Sequence, residues 1–560
     1  MRMFVIFYAI CIFAHVGTLK LFNRGLADSA SYLLIKIDCS SPTNRLYFHR
    51  LLRRISAVRL ESSATGLLSK ELSHMSNPAS RRDFIKRTAL TLSSLSVSPL
   101  PSTASCAGTA GSAASLSPPP PQSDIAVWFT NNQQRFASGT PIQWQPASGT
   151  PSPDSVRLVT NNQFQDILGF GGCFSDTSCY QINQLRPALR EEFLHDLFHP
   201  SAMNLSVNRT CIGAADSAAM MYSYDEGEAD PELKRFSIDH DRTYILPILR
   251  RVREMNPEVF YFSSPWSPPG WMKWNKSMLG GSMSRQYLSS YAQYMLKFIQ
   301  AYAAEGVPIQ AITTQNEIDT DQHGQMPACT WSQECETEFI TDHLGPLFEK
   351  TGTTTKIWIL DHNYVYWGRV ISELDDPEFR RYVNSVAWHG YVGQPSMMSK
   401  VQAAHPEVQM HFTEGSTDYN DPHYRDDWTK WSTTYSDVLK NGCRSVAAWN
   451  VATDENGKPN IGPYPCGGIV ILNAHTQEVI RSGQYWALAH FSRSMKRGAR
   501  RVESQSDALN LAHVAVENPD GQKVLILTNT GNARTIQVNY GSHSAIVDLK
   551  ENSISTLVWS

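Results

Sequence analysis

Charge is scarce in this chain. Of 560 residues only 18% are Asp, Glu, Lys or Arg, and the formal net charge is −3. A balance so close to neutral gives no support to nucleic-acid binding. A comfortable membrane span is also missing. The apolar run Phe4 to Val16, behind Arg2, is too short for one and has the length of a signal-peptide core. The ten cysteines include no CxxC pair and no Cys/His pair at zinc-finger spacing. Cys173/Cys179 and Cys329/Cys335 are each six positions apart, which leaves local disulfides and free buried thiols as equal readings. Aromatics are what the chain has in quantity, with 14 Trp and 22 Tyr. Flat rings suit a protein that stacks on sugars, and they suit a large core equally well.

The first 124 residues read as targeting and linker sequence. Ser80 to Lys86 is SRRDFIK, followed by a mildly apolar, Ser-rich stretch to Ser105. Paired Arg81 and Arg82 with Phe84 and Lys86 resemble a twin-arginine export signal over 75–106. Such a signal belongs near an amino terminus, so translation is expected to start at Met75. The expected location is outside the cytoplasm, periplasmic or extracellular. Ala107 to Gln122 is rich in Ala, Ser and Pro and has the composition of a linker.

Beyond it the chain alternates. Short apolar strands are expected at 165–171, 205–210, 259–264, 308–313, 356–360, 385–388, 408–412 and 445–448, with helical stretches between them. The clearest helix is 285–302, where Leu288, Tyr291, Met295, Phe298 and Tyr302 recur at steps of three and four. Eight β-α units in series predict an α/β fold, a (β/α)₈ barrel over 161–490. Strand-like segments at 125–160 and 491–560 carry Gly, Asn and Asp turns and predict an all-β sandwich built from both flanks.

Two strand ends carry glutamate. VPIQAITTQNEID ends its fourth strand in Asn316 and Glu317, and VQMHFTEGS ends its seventh in Glu414. Barrel enzymes place their chemistry at the carboxyl ends of the strands, where a side chain is held by a rigid element. Two facing carboxylates suggest glycoside hydrolysis, one as nucleophile and the other as proton donor to the leaving oxygen. Asn316 suits a sugar 2-hydroxyl, Arg209 suits a neighbouring carboxylate, and His389 and Tyr391 could orient it.

Several motifs then carry a resemblance. GFGGCFSD (169–176), NRTCIGAADS (208–217), SPWSPPGWMK (264–273), TTQNE (313–317), WHGY (388–391), HFTEGS (411–416) and AAWNVATDENGKPN (447–460) resemble glycoside hydrolase family 30. The resemblance implies a retaining β-glycosidase, glucosylceramidase-like, with Glu317 as acid/base and Glu414 as nucleophile. It implies sugar contacts at Asp216, Trp266, Asn316, Tyr391 and Trp449, and supporting roles for Arg209 and His389. The implied substrate is a β-glucoside, a glycolipid or oligosaccharide, and a glycolipid would bring transient contact with a membrane surface. Endo-β-1,6-glucanase and β-xylosidase are alternatives within the family, and a carbohydrate-binding protein on an inactive barrel is the alternative outside it. No cofactor and no metal are expected. Ile318 stands where many relatives have proline. Gly390 stands where some relatives carry a bulky aromatic, which would widen the leaving-group side. The insertion Asp319 to Gln325 lies at the mouth and bears on the same side.

Overall fold

A computed structural model describes residues 9–12, 18–22, 32–36, 120–147, 152–473 and 475–560. The expected export signal at 75–106 lies outside them. Two compact units result, Met1–Ser112 and Ala113–Ser560. In the first, Ala9–Ile12, Thr18–Phe22 and Tyr32–Lys36 pair as three antiparallel strands. No described helix is long and apolar enough to cross a membrane.

The second unit contains the barrel. Its strands are β1 (Gly169–Phe174), β2 (Val207–Ile212), β3 (Phe260–Pro265), β4 (Ala311–Thr313), β5 (Lys356–Asn363), β6 (Val383–His389), β7 (Gln409–Glu414) and β8 (Cys443–Thr453). Each runs parallel to the next, and β8 returns to pair with β1, with Ser445 opposite Gly169, so the cylinder is closed. Inside it Val207, Phe262, Ala311, Trp358, Ala387 and Ala447 pack into one cluster, a solid core rather than a pore. The outer helices bury their apolar stripes against the strands. In Leu288–Ala304 all five residues that set the expected period are fully buried.

The sandwich is drawn from both flanks. Ala126–Thr130 pairs with Ser553–Trp559, and Ser155–Asp166 pairs with both Arg500–Gln505 and Arg534–Tyr540. Val156, Leu158, Val502, Leu525, Leu527, Val538, Val547 and Trp559 belong to its buried core. The long strand Ser155–Asp166 moves the expected domain junction from residue 160 to about Ile167. Its centre, Asn161 to Phe164, is exposed and polar in three of four positions, so the strand reads as interrupted in sequence although the backbone pairing runs on. His490, on the helix Gly483–Ser492 that ends the barrel, joins the two bodies. Its ring nitrogens lie 2.8 Å from Thr556 Oγ1 and 2.8 Å from Thr130 Oγ1, one on each flanking segment.

Cys173, Cys179, Cys211, Cys329, Cys335, Cys443 and Cys466 are free thiols. Neither six-residue pair is bridged. Cys173 instead faces Cys211 on the neighbouring strand, sulfur to sulfur 3.9 Å.

Candidate active site

The carboxyl ends of the strands surround a cavity of about 520 Å³. It is lined by Asp216, Trp266, Asn316, Glu317, Tyr391, Glu414 and Trp449, together with Gln322, His362 and Tyr464. Seven of the nine site residues expected from sequence therefore border one space. Arg209 and His389 lie fully buried behind it.

Asp361 anchors the floor. Strand β5 bulges between Leu360 and His362, and Leu360 and Asp361 adopt left-handed φ of 72° and 46°. Non-glycine residues avoid that region at a cost of about 1–3 kcal/mol each, and a bulge is how a strand re-aims one side chain. Here it turns Asp361 toward neighbours that satisfy both its oxygens. Oδ2 accepts from Arg209 at 2.6 Å, Ser264 at 2.7 Å and Thr313 at 2.8 Å. Oδ1 accepts from Thr413 at 2.7 Å and lies 3.0 Å from His389 Nε2. Burial alone would raise this carboxyl, but Arg209, His389 and Ser264 outweigh it and hold Asp361 far below the usual carboxylate range.

That fixed anion holds Arg209 rigid. The guanidinium also donates to Glu414 Oε2 at 2.5 Å, to Asn316 Oδ1 at 2.7 Å and, through Nε, to Ser264 at 3.0 Å. Its carbon lies 4.6 Å from the centre of the Trp266 ring, which stacks on Trp449 at 4.8 Å. Burial works against the charge, yet Asp361 and Glu414 keep Arg209 protonated above its ordinary value. Arg209 takes the carbonyl of Asn316, so the amide NH₂ is the end left for a ligand.

Glu414 closes β7 and is held at both oxygens. Tyr391 donates its hydroxyl to Oε1 at 2.8 Å and Arg209 holds Oε2. Burial and the Glu414 charge push the Tyr391 hydroxyl well above its ordinary value, so it stays a donor. Glu317 follows β4 with a left-handed φ of 50°, its amide donating to Asp361 O at 2.9 Å. One imidazole stands between the two glutamates. His389 Nδ1 is 3.4 Å from Glu317 Oε1, and its Nε2 is 3.8 Å from Glu414 Oε2. Burial would lower this histidine, but Glu414, Asp361 and Glu317 raise it to about 9. Burial and the charges of Glu414 and Glu317 raise Asp216 to about 7.

Glu317, His362 and His389 bring three donor atoms within 4.8 Å of one another. His389 spends both ring nitrogens on carboxylates, Nδ1 facing Glu317 Oε1 and Nε2 facing Asp361 Oδ1. The Gly390 expectation is corrected. A Cβ there would lie 2.9 Å from the buried Phe412 ring, so the missing side chain is replaced by Phe412 and opens no space toward the leaving group. Asp361, His362, Gln322 and Tyr464 were not among the residues singled out for the site. For Asp361 the strand-end position was the available signal, and Gln322 lies in the Asp319 to Gln325 insertion already placed at the mouth, whereas Tyr464 comes from a loop whose path no local pattern encodes.

The comparisons agree with this architecture. The model of the glycosyl hydrolase family 30 TIM-barrel domain matches residues 167–495, and that of the family's β-sandwich domain matches 498–557. The chain is 32% identical to an endo-1,6-β-D-glucanase of Neurospora crassa over 68% of this chain and 83% of that one. It is 25% identical to the lysosomal acid glucosylceramidase of Mus musculus over 67% of this chain and 77% of that one. Among solved structures it resembles SrfJ from Salmonella typhimurium, with a TM-score of 0.75 and 25% identity over 78% of this chain and 99% of that one. It also resembles the endo-β1,6-glucanase BT3312, with a TM-score of 0.70 and 27% identity over 78% of this chain and all of that one. A closed parallel barrel, an attached sandwich and a family model spanning more than half the sequence together place the chain in glycoside hydrolase family 30.

Proposed function

We propose that this hydrolase cleaves β-glucosidic bonds with retention, and that β-1,6-linked glucan is its preferred substrate class. The observation that carries the reading is the placement of Glu317 and Glu414 on either side of His389, bordering one sugar-sized cavity. A Glu414 oxygen attacks the anomeric carbon while Glu317 gives its proton to the departing oxygen. The glycosidic C–O bond breaks and a glycosyl ester on Glu414 forms. Glu317 then takes a proton from water, whose oxygen attacks the same carbon and releases Glu414. Arg209 and Tyr391 hold the nucleophile in line. Trp449, Trp266, Asp216 and Asn316 border the space for the sugar ring. Export through the twin-arginine-like segment belongs to this proposal.

The glucan preference rests on relatives of that activity in both sequence and structure. Glucosylceramide is the second reading, supported by the likeness to the mouse lysosomal enzyme. Side-by-side rates on β-1,6-glucan, glucosylceramide in detergent, aryl β-glucoside and aryl β-xyloside separate the readings. Fastest turnover of the glucan, with the first-formed sugar in the β configuration by NMR, is expected. A first-formed α product, or binding without turnover of any of the four, overturns the proposal.

A further inference from the structure

The two oxygens of Glu317 have different surroundings. Oε1 faces inward, 3.4 Å from His389 Nδ1 and 3.8 Å from His362 Nδ1. Oε2 accepts a hydrogen bond from the side-chain amide of Gln322. Gln322 Oε1 in turn accepts from the Tyr464 hydroxyl at 2.6 Å. Two loops, one after β4 and one after β8, therefore meet over the oxygen that the barrel does not back from within.

That oxygen is the one a glycosidic bond has to reach. With Glu414 beneath the anomeric carbon and Asp216, Trp266 and Trp449 around the ring, the bond to be cut points toward Glu317. The space beyond Glu317 is the leaving-group side, bordered by Thr320, Gln322, His362, Asn363, Tyr366 and Tyr464. Every one of these six carries a hydroxyl, amide or ring nitrogen, set among apolar neighbours such as Met326 and Pro465.

The Gln322 segment is built to give way while its flanks hold. Asp319, Asp321, His323, Gly324 and Gln325 are exposed, and Gln322 and His323 adopt left-handed φ of 50° and 52°. On one side Trp331 N donates to Ile318 O at 2.9 Å, and Ile318 is buried. On the other, Ala328 N donates to Met278 O at 3.2 Å, and the buried Lys273 ammonium ties Ala328 O at 2.6 Å to Met278 O and Ser267 Oγ, both at 3.0 Å. A short tip is strained and solvated between two pinned ends.

Building on the acid/base reading of Glu317, we propose that Gln322 is a specificity-determining residue for the leaving group. Its carboxamide holds the position at Glu317 that the glycosidic oxygen takes during reaction. A leaving group displaces it, and the freed amide and Tyr464 then bind hydroxyls of that group. The site thereby favours leaving groups that are themselves hydroxyl-rich, such as a second sugar, over those with nothing to offer the displaced amide.

Wild type, Gln322→Ala and Tyr464→Phe should be compared on a β-1,6-linked glucose disaccharide and on 4-nitrophenyl β-D-glucoside. Gln322→Ala is expected to lower kcat/KM on the disaccharide about tenfold, mainly through KM, as one lost hydrogen bond does. On the aryl glucoside it should raise kcat/KM, because no amide has to be displaced. Tyr464→Phe should move both values the same way by a smaller factor. A fall of equal size on both substrates would mean that Gln322 serves only to hold Glu317, and no change on either would mean that it serves neither end; both results overturn the inference while leaving the hydrolase standing. Wild type inactive on both substrates would instead remove the acid/base reading beneath it. Unchanged melting temperatures identify the variants as folded.

Discussion

Tyr391 donates its hydroxyl to Glu414 Oε1 at 2.8 Å, opposite the oxygen that Arg209 grips. The carboxylate is thus held from two sides, by a neutral donor and a cation. Tyr391→Phe removes the neutral donor without opening much space. A hydrogen bond to a charged group contributes about 1.5–3 kcal/mol, so kcat/KM on an aryl β-glucoside should fall roughly 10- to 100-fold with the melting temperature nearly unchanged.

Exchanging either glutamate for its amide should give two different failures. Glu414→Gln loses the atom that bonds to the sugar, so turnover should vanish on every substrate while binding of the intact sugar persists by calorimetry. Glu317→Gln loses only proton transfer, a contribution of about 10²–10⁴-fold. It should retain a slow first step on aryl glucosides with good leaving groups and show a burst of released phenol. Added azide, which needs no general base, should restore turnover.

Arg209→Met tests the buried network. Removing the guanidinium leaves Asp361 with His389 as its remaining cationic partner and takes the cation from Glu414 Oε2, and breaking a buried pair costs about 3–5 kcal/mol. Urea unfolding should show that loss, accompanied by a collapse of activity. Arg209→Lys keeps a charge but cannot reach Asp361, Glu414, Asn316 and Ser264 together. Its stability should lie between those of wild type and the Met variant, with activity still low.

The pH dependence of stability follows from His389 and Asp216. His389 is raised from 6.5 to about 9 in the fold, so its contribution is complete below 6.5 and is lost as pH rises through 9. Asp216 is raised from 3.8 to about 7, so the fold gains from its proton below 3.8 and loses that gain as pH rises through 7. Thermal melts should therefore show stability declining in both windows. Asp216→Asn should flatten the lower one and His389→Gln the upper one. A profile in which neither variant changes its slope contradicts the assignment.

Much of this could be read in the sequence because the barrel writes itself locally. A buried parallel strand is a short apolar run, and eight such runs placed Glu317 after the fourth strand and Glu414 at the end of the seventh, as observed. The period of Leu288–Ala304 was equally plain, since five core positions on one helix have no other explanation. Asp361 was harder. Its importance comes from the bulge that turns it and from donors on β2, β3, β4, β6 and β7, and a contact of that kind leaves no spacing rule behind. Gln322 and Tyr464 are 142 positions apart and meet through loops, where chain direction depends on the whole fold. The domain junction was misplaced for a related reason. Ser155–Asp166 is held by pairing partners some three hundred residues away, which override its polar centre.

The sandwich has a consequence for how this polypeptide comes off the ribosome. Ser560 N bonds to Ser123 Oγ across 437 positions, and Ala126–Thr130 has its partner strand in Ser553–Trp559. The barrel has all eight of its staves once Thr453 has emerged, but the segment translated before them stays without its mate until Ser553–Trp559 has followed. Between the two the nascent chain carries an early strand with an open edge, and a chaperone that shields that edge would act there first.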